Sequence, residues 1–122
     1  MMNCIYVGLG GFVGAVGRYL MGLIPIQHKS GFPVMTMLIN FIGAFLIGII
    51  AAVAAKEGNH NPQLILFLKT GVCGGFTTFS TFALESSVLL ENGKTGVALL
   101  YMGLSVAVCL AAVMLGQKLV VG

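Results

Sequence analysis

Tryptophan and aspartate are missing from this 122-residue chain, and charge of either sign is scarce. Lys and Arg together number 6 and acidic residues 3, so 7% of the chain is charged, against about 25% in an average soluble domain. A soluble protein of this size has a large surface for its volume and cannot cover it with nine charges. The six cations (Arg18, Lys29, Lys56, Lys69, Lys94, Lys118) stand apart from one another, so the net charge of +3 forms no patch that would track nucleic acid. Without Asp there is no close pair of carboxylates. His28 and His60 fall in polar loop sequence, and no Ser–His or metal-ligand spacing occurs, which excludes a recognisable catalytic set. The three cysteines, Cys4, Cys73 and Cys109, are an odd number in apolar surroundings and read as reduced small hydrophobes, not as a disulfide frame or zinc site.

What is abundant is apolar sequence, 58% of the chain. At about 20 residues per crossing, four membrane helices fill the length and leave no soluble domain. The first span is expected over 4–24. It lacks a basic leader and a cleavage site, so it reads as retained and not as a signal peptide. Pro25, the polar run 27–31 and Pro33 make a loop. The second span, 34–55, is uncharged and ends in the polar turn 56–61. Pro62 suits the first turn of a third segment, 62–90, where its missing N–H costs nothing. A turn at Gly93 precedes the fourth span, 96–120. The expected fold is an all-α integral membrane domain.

The third segment departs from a plain span. It contains Gly71, then Gly74-Gly75-Phe76-Thr77-Thr78-Phe79-Ser80-Thr81-Phe82. Glycine costs about 1 kcal/mol in a helix interior and threonine is a weak helix former. A break near 71–78, close to the bilayer midplane, is therefore expected. Broken backbone at that depth survives only against protein or a cavity, and freed carbonyls there bind ions. The alternative is that glycines simply let helices approach. That alternative suits Gly10 and Gly14 on the first span, whereas the run beginning at Gly74 favours a break.

Polar residues recur at helical spacing: Thr36 and Asn40; Thr77, Thr81 and Glu85; Tyr101, Ser105 and Cys109. Three narrow stripes suggest a hydrogen-bonding file, although any single hydroxyl serves equally well as interhelical glue. Asn40 and Glu85 need partners when buried. Phe79 and Phe82 stand beside the break, and their ring edges are weakly positive. Arg18 fits either an anion-attracting mouth or a snorkelling side chain. With four spans, three cations fall on each side, so the positive-inside rule has nothing to act on and insertion in both orientations is permitted.

The stretch 74–82, together with Thr36 to Asn40 followed by Gly43, and Gly14-Ala15-Val16-Gly17-Arg18-Tyr19, resembles the Fluc (CrcB) family of fluoride channels. The likeness extends over the whole chain. It implies an antiparallel, dual-topology homodimer in the cell inner (plasma) membrane, passively exporting toxic fluoride from the cytoplasm. It also implies a structural Na⁺ at the dimer centre, held by backbone carbonyls of Gly74 and Thr77. On the same basis Asn40, Phe79, Phe82, Tyr101 and Ser105 would line the fluoride pore. Thr36, Thr81 and Glu85 would extend the polar file, and Arg18 would face a vestibule. Cys109 stands where this family leads one to expect a small hydroxyl residue, and a thiol is a weak donor.

Two other classes compete. A small multidrug transporter would share four helices and dual topology, but needs a membrane-embedded acid in its first span and usually tryptophan-containing walls; neither is present. A non-conducting structural subunit is separated from a channel only by ion flux.

Overall fold

The computed structural model describes residues 1–57 and 61–122. Residues 58–60, and so His60 and the middle of the expected second turn, lie outside the described residues. Among the described residues every regular element is helical: α1 (Met2–Gly22), α2 (Val34–Glu57), α3 (Pro62–Ile65), a π-helical stretch (Leu66–Cys73), α4 (Gly74–Phe76), α5 (Phe79–Glu91) and α6 (Thr95–Val121). Four segments are long and apolar enough to cross a membrane, namely Met2–Gly22, Val34–Lys56, Pro62–Glu91 and Thr95–Val121. The all-helical, four-span expectation is thus met.

The helix ends follow local chemistry. Asn61 caps α3, its side chain accepting from the N–H groups of Gln63 at 2.9 Å and Leu64 at 3.4 Å, with Pro62 in the first turn. At the far end of α5, Gly93 adopts φ +76°, a left-handed conformation natural to glycine. Lys94 N–H then bonds Leu89 O at 2.8 Å and Gly93 N–H bonds Leu90 O at 3.1 Å, which satisfies the last carbonyls and turns the chain into α6.

The third segment is interrupted at Thr77–Thr78, where both residues are extended (φ −80°, ψ 156° and φ −146°, ψ 120°). The glycines before it are helical: Gly74 has φ −63° and ψ −38°. The break lies at the C-terminal edge of the expected window, and Gly75 takes the packing role the sequence left open. A Cβ on Gly75 would lie 2.7 Å from Gly11 O, and one on Gly71 would lie 2.7 Å from Gly10 Cα. From the other side, Cβ atoms on Gly10 and Gly14 would run into the carbonyls of Phe67 and Val72. Glycine on both faces brings α1 and the third segment together backbone to backbone, running parallel. Gly48 against Val113 O, and Gly116 against Phe45 O, do the same for α2 and α6.

Large apolar side chains such as Phe12, Leu110 and Leu119 point outward, as expected of a chain whose solvent is lipid. The small interior centres on Leu89, Ala98 and Tyr101. Gly14→Ala should destabilise the fold by about 1–3 kcal/mol, because the new methyl meets backbone that cannot rotate away. Gly8, whose Cβ position is open, supplies the contrast: Gly8→Ala should be neutral or stabilising by up to about 1 kcal/mol through helix propensity. Thermal melting of the two detergent-solubilised variants, followed by far-UV circular dichroism, checks the difference.

Candidate functional site

A helix interrupted inside an apolar protein must place its orphaned backbone groups. Asn40, on α2, meets the break directly. Its Oδ1 accepts from Thr78 N–H at 2.8 Å, and its Nδ2 donates to Thr78 O at 3.2 Å. The side-chain amide thus pairs with one peptide unit as a neighbouring strand would. Thr78 is also the N-cap of α5, its Oγ1 accepting from Thr81 N–H at 3.1 Å. Thr77 closes the helix before the break: its N–H and Oγ1 both donate to Cys73 O, at 3.0 Å and 2.9 Å. Arg18 Nε donates to Gly75 O at 3.2 Å. A cation at a helix C-terminus satisfies a carbonyl and complements its partial negative charge.

The interruption takes the i+4 donor of an unbroken helix from the carbonyls of Gly74, Gly75, Phe76 and Thr77, and Arg18 replaces it at Gly75. Thr78 N–H, four residues beyond Gly74, is engaged by Asn40, and Thr81 N–H, four beyond Thr77, is engaged by Thr78 Oγ1. The Gly74 and Thr77 oxygens are therefore free acceptors. Gly74 is exposed, and no atom but Lys69 O, at 3.9 Å, lies within 4 Å of its Cβ position.

The polar stripes converge elsewhere. Glu85 on α5 accepts from Thr36 Oγ1 and from Tyr101 Oη, both at 2.9 Å, one on each carboxylate oxygen. Thr36 is buried and Tyr101 fully so. The Tyr101 ring packs against Phe82, centroids 5.1 Å apart, and Phe82 against Phe79 at 5.6 Å. Phe79 is 79% exposed, on the outer surface of the chain. Ser105, one turn below Tyr101, is buried with its Oγ unpartnered. Thr81 serves through its backbone N–H, and Cys109 lies beyond Ser105 along the same wall.

Two cavities meet this chain of groups. An open groove of ≈ 370 Å³ is lined by Asn40, Thr77, Phe79, Phe82, Ser105 and Cys109 among others. A second, of ≈ 750 Å³, reaches Thr36 and Glu85 from the loop between α1 and α2, and includes His28. Phe82 lines the first and Glu85 the second, and Tyr101 packs on the one and donates to the other.

Sequence reasoning found Thr36, Glu85 and Tyr101 by spacing but missed that Thr78 is the pivot of the break. The signal was present: a Thr directly before a helix is a cap. It also missed Phe32, whose ring meets Tyr101 edge-on at 5.4 Å, and the entry of Cys73 into the groove.

The family model for CrcB-like protein, Camphor Resistance (CrcB), matches residues 5–117. Among curated relatives, a fluoride-specific ion channel FluC of Ruminiclostridium cellulolyticum is 46% identical over 98% of this chain and 92% of its own length. Channels of the same name from Cereibacter sphaeroides and Shewanella halifaxensis are 44% and 42% identical over 98% of this chain, and over 95% and 97% of their own lengths.

Asn40→Ala should cost about 1–3 kcal/mol, chiefly for the Thr78 N–H it strands, since the Thr78 carbonyl keeps its first-turn helical donor. Asn40→Asp, though of the same shape, should also destabilise, because a carboxylate oxygen would face the Thr78 carbonyl with no hydrogen between them. A wild-type melting temperature for Asn40→Asp would contradict the pairing.

Proposed function

From the CrcB family of fluoride channels, to which this chain belongs, we infer that it conducts fluoride across the plasma membrane and, by passive export, relieves fluoride toxicity. Near-full-length likeness to fluoride-specific channels is the observation that carries this reading. The groove and the polar file are consistent with it.

The conducting unit we propose is an antiparallel homodimer. Three observations support a second copy. Phe79 and Gly74 face outward from the single chain, the groove they border is open, and the cations divide evenly between the two sides. A Na⁺ at the two-fold axis fits the free acceptors. Hard cations take oxygen ligands, and the Gly74 and Thr77 carbonyls are among those that the break leaves without a helical donor. Bound there, the ion would tie the two breaks together and stay out of the conduction path.

Fluoride is strongly hydrated, so a path must replace water by several donors at once. Ser105 has a hydroxyl with no internal partner. Asn40 uses one N–H on Thr78 O and keeps the second, since a primary amide carries two. The edges of Phe79 and Phe82 add weakly positive C–H groups between them. Tyr101 and Thr36 follow, their hydroxyls shared with Glu85. Arg18, held on Gly75 O, leaves no bare cation within the file, and conduction requires sites weak enough to release the ion.

Proteoliposomes loaded with fluoride should release it through wild-type protein far faster than chloride. Phe82→Ile, which keeps bulk and removes the ring edge, should lower fluoride efflux by about tenfold or more while leaving a folded dimer; loss of roughly one good interaction, ~1.4 kcal/mol, is a tenfold effect. Fluoride-tight vesicles carrying folded wild-type protein would refute the channel reading.

Orientation is tested separately. Two lysines added beside Lys118 should force one topology and reduce function, with rescue by an oppositely biased, co-expressed copy. Full activity of the biased copy alone would count against dual topology.

A further inference from the structure

The groove beside the break contains six polar side chains: Asn40, Thr77, Thr78, Ser105, Cys73 and Cys109. Three of them are committed to holding the break. Asn40 is paired with Thr78, Thr77 Oγ1 donates to Cys73 O, and Thr78 Oγ1 accepts from Thr81 N–H. The uncommitted set is two free thiols and the Ser105 hydroxyl. Ser105 is 6% exposed, and its Oγ is the buried side-chain polar atom left without a partner among the described residues. The rest of the lining is glycine, Ala44, Ile47, Phe79, Phe82, Val106 and Val113, with no carboxylate or imidazole.

That donor set is selective. Hard cations want several oxygens, and zinc wants four ligands, typically thiolate with imidazole. Two sulfurs on different elements of one groove (Cys73 at the end of the π-helical stretch, Cys109 on α6), with a neutral hydroxyl in the same lining, suit a soft, low-coordinate cation. We propose that the groove is a binding site for a thiophilic monovalent cation of the Cu(I)/Ag(I) class, held by Cys73 and Cys109 with Ser105 beside it, and that its occupation obstructs the fluoride file. Binding is ligation without redox: each thiol gives its proton to water as its sulfur–metal bond forms. The obstruction rests on the pore reading above; the binding does not.

Silver is the redox-inert probe, used in chloride-free buffer on the full-length protein. Cys4 is an exposed thiol on α1 that does not line the groove, so all samples carry Cys4→Ser. Native mass spectrometry of detergent-solubilised protein should show one silver per chain. Cys109→Ser and Cys73→Ala should each weaken retention by at least the roughly tenfold that loss of even a supporting group costs a metal site. In proteoliposomes, silver should suppress fluoride efflux in the Cys4→Ser background and thiol reductant should restore it. The ratio of efflux with and without silver, taken within each variant, should return toward one in Cys109→Ser.

The outcomes separate cleanly. Silver absent from the Cys4→Ser protein, or retained equally when both groove thiols are replaced, would overturn the site. Silver bound through these thiols without loss of efflux would overturn the obstruction. Thiol-dependent binding in protein that passes no fluoride would sustain the site and overturn the channel reading.

Discussion

The pairing of the Asn40 amide with the Thr78 peptide is the interaction on which this architecture turns. A helix cannot be opened in hydrocarbon unless each freed N–H and C=O finds a partner, since each orphan costs several kcal/mol. Thr78 presents both groups to one side. Asparagine is suited to them because its side chain copies a peptide, with one acceptor and one donor at peptide spacing. Aspartate lacks the donor and leucine lacks both. Arg18 on Gly75 O and Thr78 Oγ1 on Thr81 N–H complete the settlement, from α1 and from the break itself. What is left over includes the Gly74 and Thr77 oxygens, and Gly74 is exposed at the surface of the chain. Carbonyls left without a donor beside an exposed glycine are what the proposed sodium would require.

The glycine contacts make that arrangement rigid. Gly10, Gly11 and Gly14 hold α1 against the helix that ends at the break, which sets Arg18 within reach of Gly75. On the opposite side Gly43 admits Thr77 Cγ2, where a Cβ would collide, and the Phe76 ring lies 3.4 Å from the same point. The break is therefore clamped between α1 and α2 by absent side chains. Loose packing would let Thr77 and Thr78 drift back toward helical torsions, and the carbonyls would be recaptured. Packing and site share one cause, so a substitution on α1 that touches no polar group should still be felt at Gly74.

Much of this was legible in the chain itself, for reasons that differ by residue. Spans were visible because nine charges cannot dress a soluble surface, and their ends because Asn61-Pro62 and Gly93 have few other uses. Thr36, Glu85 and Tyr101 were visible because helical spacing puts each on a stripe. That one carboxylate gathers both hydroxyls was not, since it depends on the rotation of three helices about their axes. Gly74-Gly75 was ambiguous in principle: close packing and a broken helix ask for the same residue. The structure keeps both glycines helical and hands the break to the threonines, whose capping signal the glycines had overshadowed. The π-helical winding of Leu66–Cys73 was not legible, because no residue type in that stretch distinguishes it from α-helix. Sodium and the second copy came from family resemblance; no spacing rule would have produced them.

The position of Glu85 bears on selectivity. An acid beside an anion path looks self-defeating, yet its two oxygens are occupied by the hydroxyls of Thr36 and Tyr101. On the proposed reading an arriving anion must compete with the carboxylate for those hydrogens. A bare hydroxyl cage would bind the ion too well to release it, and a lysine would hold it longer still. Sharing the donors with Glu85 lowers the affinity without removing the donors. The competition also discriminates by chemistry. Fluoride, the smallest halide and the strongest hydrogen-bond acceptor among them, can draw a hydroxyl from a carboxylate. Chloride, larger and a weaker acceptor, would gain less from each donor. Selection by acceptor strength would then act at these two hydroxyls, and it needs no fixed positive charge.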